Sequence, residues 1–320
     1  MRVNKLLHAV GMLVLLLVLL HVPVSAATLD EEIQNSFFPY NRGFPARPGY
    51  EPGTVIDKSN VGEFKDILDE GLQHLIAAGW VEIHTAPATD LALDPAYIAA
   101  TKAGAAGVKL ADNGILENFV AGRPFPQEPS DSDPGAGQKL IWNFQYGFSG
   151  GDNIYIDPFW WTFRDAGTGK VERTLKFYAR VFKWQQRVHF DPMPEVKLNP
   201  SNVYRSFYIY TYEPFDLKDT QLLIHRYRDD LQRDDAWLYL GFQRRVRRLA
   251  AGQTTDAFLG SDLMIEDFEG YNGRITDYTW EYAGTRNLLL PFYNHNEQAL
   301  AAVPEKDPDG FRFVDVEGRG

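Results

Sequence analysis

Residues 171–184 read VERTLKFYARVFKW, and every second side chain from Leu175 to Val181 is apolar. Because successive side chains of a β-strand point to opposite faces, this spacing predicts a strand with one face packed on a core. The preceding residues 165–169, DAGTG, are typical of a hairpin turn, which makes residues 154–163 the predicted partner strand.

The same alternation continues toward the C-terminus. Residues 203–212, VYRSFYIYTY, place Val203, Phe207 and Ile209 on one face, and the other face carries Tyr204, Tyr208, Tyr210 and Tyr212. Further strands are predicted at residues 139–146, 221–227, 237–248, 263–268 and 277–283. About eight strands joined by short turns predict a mainly β protein, built as a curled antiparallel sheet or unclosed β-barrel.

Two helices are predicted to cover this sheet. The apolar residues of segment 60–78 follow the spacing of one helix face that ends near Gly79, and they are Phe64, Ile67, Leu68, Leu72, Leu75 and Ile76. Residues 95–104 form a second, alanine-rich helix. We expect the first helix to plug the open side of the barrel.

Composition divides the chain into five parts. They are a signal peptide (1–26), a proline-rich extended arm (27–58), a helical and irregular lid (59–137), an antiparallel β half-barrel (138–296) and a polar tail (297–320) that looks incomplete.

The N-terminus has the features of a secretory signal. Arg2 and Lys5 precede an apolar run at residues 12–20, and the small residues before Ala26 predict cleavage after it. The chain has no cysteine, so neither a thioether lipid anchor nor a disulfide is expected. Removing residues 1–26 takes away two basic residues and moves the net charge from −11 to −13, which argues against nucleic acid as a partner.

The motifs that could indicate catalysis or metal binding are not supported by the residues around them. Residues 147–151, GFSGG, match the serine hydrolase pattern around Ser149, but a strand follows where that motif needs a helix. No two of the seven histidines have the spacing that places two imidazoles on one metal ion. Paired aspartates at 229–230 and 234–235 are expected to be solvated. The sequence therefore predicts no catalytic residue, metal or cofactor, and a secreted hydrolase ranks third among the functions.

The predicted ligand site is an apolar cavity inside the half-barrel. Inward-facing side chains would line it beneath the lid helix, and they are Trp142, Phe144, Tyr146, Phe177, Phe207, Ile209, Leu68 and Leu72. A carrier for a lipid-like hydrophobic molecule is the function this arrangement favours. A fully packed interior is the alternative.

A second candidate is the charge cluster at residues 244–268, RRVRRLAAGQTTDAFLGSDLMIEDF. We expect Arg244, Arg245, Arg247 and Arg248 to face Asp262, Glu266 and Asp267 across a hairpin at the rim of the sheet. Such a rim could be structural, or it could dock a partner of an envelope scaffold protein.

These residues also carry a resemblance. The arginine strand, DAFLGSD at residues 256–262 and EDF at 266–268 resemble segments of outer-membrane lipoprotein-sorting proteins, which have the LolA/LolB-like fold. Together with PGY (48–50), GRPFP (122–126), WN (142–143), NG (272–273) and PFYN (291–294), they resemble an uncharacterised family of Gram-negative periplasmic proteins, a domain of unknown function.

The resemblance implies a periplasmic protein with an unclosed β-barrel, helices across its mouth and a hydrophobic cavity. It also implies a resistance-nodulation-division type transporter or an outer-membrane component as partner, and further strands beyond those present in this chain.

Overall fold

The computed structural model describes residues 28–88, 93–147, 151–165, 168, 170–250 and 257–290, with two short strands at 301–302 and 314–315. The predicted signal peptide, Ser149, Asp256, the PFYN motif and most of the polar tail lie outside the described residues. Within the described ranges, none of the helices combines the length and apolar character that a membrane span requires.

Six antiparallel strands form the main sheet, and each pairs with its neighbours in the sequence. They are β1 (Asn153–Arg164), β2 (Val171–Lys183), β3 (Val203–Glu213), β4 (Gln221–Tyr227), β5 (Asp235–Leu240) and β6 (Arg245–Arg248). β1 and β6 are the two edges, so the sheet is open and does not close into a barrel. The predicted mainly β class and the meander order are confirmed, with six strands in this sheet where about eight were predicted.

Several short elements accompany the main sheet in the described part of the chain. Three two-stranded ladders pair Val55–Ile56 with Ile83–His84, Lys109–Leu110 with Leu116–Glu117, and Ala301–Ala302 with Val314–Asp315. Turns of 3₁₀-helix span Pro39–Arg42, Val61–Phe64, Ala105–Gly107, Phe258–Gly260, Ile265–Gly270 and Ile275–Asp277.

The N-terminal half is more helical than the sequence predicted. Part of the predicted extended arm is helix α1 (Leu29–Phe37), which starts with a reciprocal capping box between Thr28 and Glu31. The ring of Phe37 contacts Tyr97 edge-on, with ring centres 5.8 Å apart. This contact gives the arm a buried apolar face, which stabilises a helix despite the prolines that follow.

The predicted helix at residues 60–78 is broken in two. Its first part is the 3₁₀ turn Val61–Phe64, and only Glu70–Ala77 forms an α-helix, α2. Asp69 interrupts the run because its carboxylate accepts a hydrogen bond from Leu72 N (2.9 Å), which caps a new helix. The predicted helix at 95–104 is confirmed as α3 (Pro95–Gly104).

The strand predicted at residues 139–146 is wrong, because this segment is helix α4 (Ala136–Gln145). Trp142 and Tyr146 lie four residues apart, so a helix brings them onto one face, where their rings stack with centres 5.4 Å apart. Both are buried, while Phe144 between them is 50% exposed. The aromatic residues at every second position suggested a strand, but only the pair at helical spacing is buried.

The strand predicted at residues 237–248 is a hairpin, β5 and β6, that turns at residues 241–244. A side chain at Gly241 would approach Lys218 O and Asp219 Cβ to 2.7 Å, so the turn packs directly on the neighbouring β3–β4 turn. Arg244 adopts a positive φ of 52° to complete the turn.

One face of the sheet is a packed apolar core. Its buried residues come from β2 to β5 and include Leu175, Phe177, Ala179, Ile209, Leu222, Ile224 and Ala236. Phe258 and Ile265, from the segment after β6, close over them, with Phe268 packed against the same cluster. This segment was predicted as a strand at residues 263–268, and no regular strand forms at 277–283 either.

The predicted lid helix does not cover this face. Leu68 is fully buried with Ile56, Val61, Phe64 and Ile76 in a separate cluster, against which Leu72 also packs. The lid therefore has a small core of its own, and the chain after β6 takes the place predicted for it.

A row of buried cations crosses the foot of the apolar face. Lys183, Arg205 and Arg226 are direct cross-strand neighbours on β2, β3 and β4. Arg205 donates to Glu269 (2.8 Å) and to Asn272 Oδ1 (2.6 Å). Arg205 and Arg226 therefore both anchor the chain that follows β6.

The guanidinium of Arg226 joins three parts of the chain. It pairs with Asp234 at 2.8 Å, and it donates to Asn272 Oδ1 (3.1 Å) and to the Asn272 carbonyl oxygen. Burial lowers the pKa of Arg226, but Asp234 outweighs this effect and the pKa is raised. Asp230 is also buried and accepts from Thr276 N (2.8 Å). The prediction that the paired aspartates are solvated is therefore wrong for Asp230 and Asp234, while Asp229 is exposed.

We predict that Arg226→Ala lowers the free energy of unfolding by about 3 to 5 kcal/mol, because it leaves the carboxylate of Asp234 buried and unpaired. Arg248→Ala is the matched control, since it removes the partner of the adjacent Asp235 from a side chain that is 67% exposed, against 8% for Arg226. Urea denaturation of both variants measures the difference. Equal losses would contradict the anchoring role of Arg226.

The start of β1 is held by a buried carboxylate. Asp152 is fully buried and accepts hydrogen bonds from the backbone N–H groups of Val188, His189 and Phe190 at 2.8 to 3.0 Å. His189 in turn contacts Asp94, the N-cap of α3, with Nε2 2.9 Å from Oδ2. These contacts link the helical half of the chain to the sheet.

The carboxyl of Asp152 makes stability depend on pH. Burial raises its pKa, but the three N–H donors outweigh burial, so the pKa lies below its ordinary value. A lowered folded-state pKa contributes stability at neutral pH that is lost as the pH falls through that pKa.

We therefore predict that Asp152→Asn costs about 1 to 3 kcal/mol near neutral pH. The difference from the unmodified protein should begin to shrink below about pH 4, where the unfolded chain binds a proton at Asp152 that the native carboxyl, with its lower pKa, does not yet bind. Urea midpoints measured from pH 7 to pH 3 give this curve. A difference that stays constant with pH would assign the loss to packing alone.

Candidate ligand-binding site

The second face of the main sheet carries an open, aromatic concavity. It measures about 820 Å³, and we call it the aromatic trough. Its lining residues are Asn153, Ile154, Tyr155, Tyr178, Arg180, Phe182, Trp184, Ser206, Tyr208, Leu223 and His225. The volume falls within the range of about 300 to 1,000 Å³ that is usual for small-molecule sites.

Strand register places these side chains together. Tyr178 on β2 pairs with Tyr210 on β3, and Arg180 pairs with Tyr208 on one side and Tyr155 on the other. Directly paired residues of antiparallel strands share a face, so the alternation that buries Phe177 in the core turns its neighbours toward the trough.

The tyrosine rings support one another across strands. The ring of Tyr178 stacks on Tyr210 at 5.5 Å, and it lies 5.6 Å from both Tyr155 and Tyr208. Contacts of this kind are worth about 0.5 to 1.5 kcal/mol each beyond the area they bury. They hold the rings in fixed positions before any ligand arrives.

Most polar atoms of these aromatic side chains are already paired within the protein. Tyr208 donates its hydroxyl to Gln221 Oε1 (2.7 Å), and Tyr155 donates to Asp157 Oδ2 (2.9 Å). Trp184 Nε1 donates to Ser206 Oγ at 2.7 Å. A ligand in the trough would therefore contact mainly the ring surfaces of these side chains.

Two lining residues can carry positive charge. Burial lowers the pKa of His225, although Asp235 opposes the effect, so its imidazole is neutral at pH 7. Its ring lies edge-on to Trp237, with centres 5.1 Å apart. The other is Arg180, whose guanidinium offers five N–H donors, and the lining includes no acidic residue.

Comparison with known proteins places the chain in a family. Residues 55–312 match the model of the family described as "Protein of unknown function (DUF1329)". The chain belongs to the DUF1329 family. No curated protein matches it.

Two solved structures resemble parts of this DUF1329 chain. One is a DUF1329 family protein from Desulfovibrio piger, with 25% identity, a TM-score of 0.33 and coverage of 46% of this chain and 53% of that chain. The other is described as an outer membrane lipoprotein-sorting protein domain from Vibrio parahaemolyticus, with 19% identity, a TM-score of 0.34 and coverage of 46% and 52%. The aligned part spans about half the length of either structure.

Apart from the half-exposed Phe144, the residues predicted to line a cavity are divided among three packed clusters of the DUF1329 chain. Phe177 and Ile209 are buried in the sheet core, and Phe207 packs on the Phe268 ring at 5.6 Å. Leu68 and Leu72 belong to the lid cluster. The apolar face that was expected to hold a ligand is therefore covered by the protein's own residues.

Trp142 and Tyr146 lie in a third cluster with Phe119 and Tyr204. Tyr204 was predicted on the tyrosine face, but the register shifts between Val203 and Arg205 and its ring meets Tyr146 at 5.3 Å instead. A β-bulge of this kind reverses the facing of the residues beyond it, and strand alternation alone does not predict where it occurs.

The arginine cluster lies on the exposed edge strand β6. Two of its contacts were not predicted, since Arg248 pairs with Asp235 and Arg247 donates to Gln243 Oε1 at 2.8 Å. Asp267, one of the predicted partners, accepts from Met264 N (2.8 Å). The hairpin turn at residues 241–244 sends the arginines along the sheet edge, while the acidic segment crosses the apolar face.

The sequence missed Tyr178, Arg180 and Leu223 as site residues. The alternation along the strands places these residues on the face opposite the core, where many side chains are polar or aromatic. That pattern alone indicates a partly solvated surface. Across the described residues, no group of three or more histidine or acidic side chains is placed to hold a metal ion.

Proposed function

We propose that this DUF1329 chain is a non-enzymatic periplasmic carrier that binds a lipid-like hydrophobic molecule in the aromatic trough. The observation that carries the proposal is a concavity of about 820 Å³ walled by aromatic rings whose polar atoms are mostly paired elsewhere. Apolar surface of this kind, left open on a sheet, is favourable to cover at about 25 cal/mol per Å².

The trough replaces the cavity that the sequence predicted. A carrier needs an apolar surface that is accessible, and Phe258 and Ile265 cover the inner apolar face. On the opposite face, none of the described residues covers Phe182, Leu223 and the tyrosines in this way, so a ligand can bind there without unfolding the core. Export through the signal peptide would place this surface in the periplasm, and handover to an envelope transporter or outer-membrane component remains a prediction from the resemblance.

Protein released from the periplasm of a Gram-negative host tests the proposal by native mass spectrometry. We expect a chain that begins at Ala27 and carries a hydrophobic molecule of additional mass. Leu223→Asp places a charge in the trough wall and should abolish the additional mass, because transfer of a hydrophobic ligand to a charged surface is unfavourable.

Leu231→Asp is the control, since Leu231 is 56% exposed on a turn outside the trough. It should retain the ligand. An unmodified protein that carries nothing would argue against a carrier, and one that keeps residues 1–26 would argue against export.

An envelope scaffold is the second candidate function, and the exposed edge favours it. All four residues of β6 are exposed, with Val246 at 65%, and an unpaired strand edge can accept a strand from a partner. Its arginines suit an acidic partner segment.

Replacing both Arg245 and Arg247 with Glu should then abolish co-purification of an envelope partner without lowering the melting temperature. These two arginines lie at the surface, so the fold tolerates the change. Retention of the partner by the double variant would exclude this docking mode.

A further inference from the structure

Arg180 is set among aromatic rings in the middle of the trough. Its cross-strand neighbours are Tyr155 and Tyr208, and Tyr178 and Phe182 lie two positions before and after it on the same strand face. Cross-strand neighbours are about 5 Å apart and same-face neighbours on one strand about 7 Å apart. The guanidinium therefore projects from a surface on which all four nearest positions are aromatic.

The side chain of Arg180 does not hold parts of the fold together, in contrast to those of Arg205 and Arg226 in neighbouring strands. Arg205 and Arg226 are paired with Glu269, Asp234 and Asn272 on the opposite face. Within the part of the chain that the structure describes, the side chain of Arg180 makes no hydrogen bond or ion pair. Its five N–H donors are thus available to a ligand.

The charge around Arg180 is unusual for this chain. Acidic residues outnumber basic ones by 43 to 32, yet none of the trough's lining residues is acidic. Because burial lowers the pKa of His225, the positive charge of the lining near neutral pH comes mainly from Arg180. Arg180 is exposed, and a single positive charge among aromatic rings, on a lining without acidic residues, favours an anion.

We propose that the ligand of the trough is an anionic amphiphile whose carboxylate or phosphate head pairs with Arg180. Its apolar part lies against Tyr178, Phe182 and Leu223. This inference rests on the proposed carrier function and adds the chemical class of the ligand to it. The planar guanidinium matches both head groups, because each offers two oxygens to its paired donors.

Decanoate and decanol test the inference, since they share one alkyl chain and differ in the charge of the head group. Binding is followed at pH 8 by titration calorimetry. The unmodified protein should bind decanoate roughly fivefold more tightly than decanol, the gain expected of a partly exposed charge pair. Arg180→Gln should bind both equally, with decanol affinity unchanged.

Arg286→Gln is the matched control, because it removes the same charge from an exposed arginine outside the trough. It should keep the fivefold preference. Decyl phosphate, measured alongside, identifies the head group, and tighter binding than decanol by either anion supports the proposal.

The outcomes separate this inference from the carrier function. If the unmodified protein binds decanoate, decyl phosphate and decanol equally, the anionic ligand is overturned and the carrier function still stands. Equal weakening of decanoate by both arginine variants would also overturn it, since the effect would then be one of net charge. If neither molecule binds, the carrier function itself fails.

Discussion

The buried guanidinium of Arg226 is the contact on which the rest of the molecule depends. A charge removed from water must be paired, and Arg226 meets this requirement by binding Asp234 and both oxygens of Asn272. Since Asn272 belongs to the chain after β6, the pairing fixes that segment at the foot of the sheet. Arg205 strengthens the same attachment through Glu269 and Asn272.

This attachment decides which face of the sheet is covered and becomes the packed core. With Asn272 anchored, Phe258, Ile265 and Phe268 lie over the apolar side chains of β2 to β5. The face that looks like a cavity wall in the sequence becomes a core, and the face that looks partly solvated remains open. Function in this DUF1329 protein is therefore expected on the aromatic face, where stacked tyrosines form a rigid wall around Arg180.

Strands with strict alternation were predicted well. Residues 154–163, 203–212 and 221–227 lie in strands of the observed sheet, as does segment 171–184 except for its last residue, and the helix at 95–104 has the predicted bounds. Each of these segments carries its own periodicity and its own end signals, so local sequence was sufficient. Prediction failed at residues 139–146, where the spacing of three aromatics fitted a strand and two of them fitted a helix.

By itself, the sequence determined the mainly β class, the meander of hairpins and the two-sided character of the strands. These properties follow from side-chain alternation and turn residues, which act over a few neighbouring positions. Only the tertiary structure decided which side is covered, because the contact between Arg226 and Asn272 joins residues 46 positions apart. Alternation predicts which side chains share a face of the sheet. Which of the two faces is buried depends on where a distant segment packs, and the other face is then accessible to a ligand.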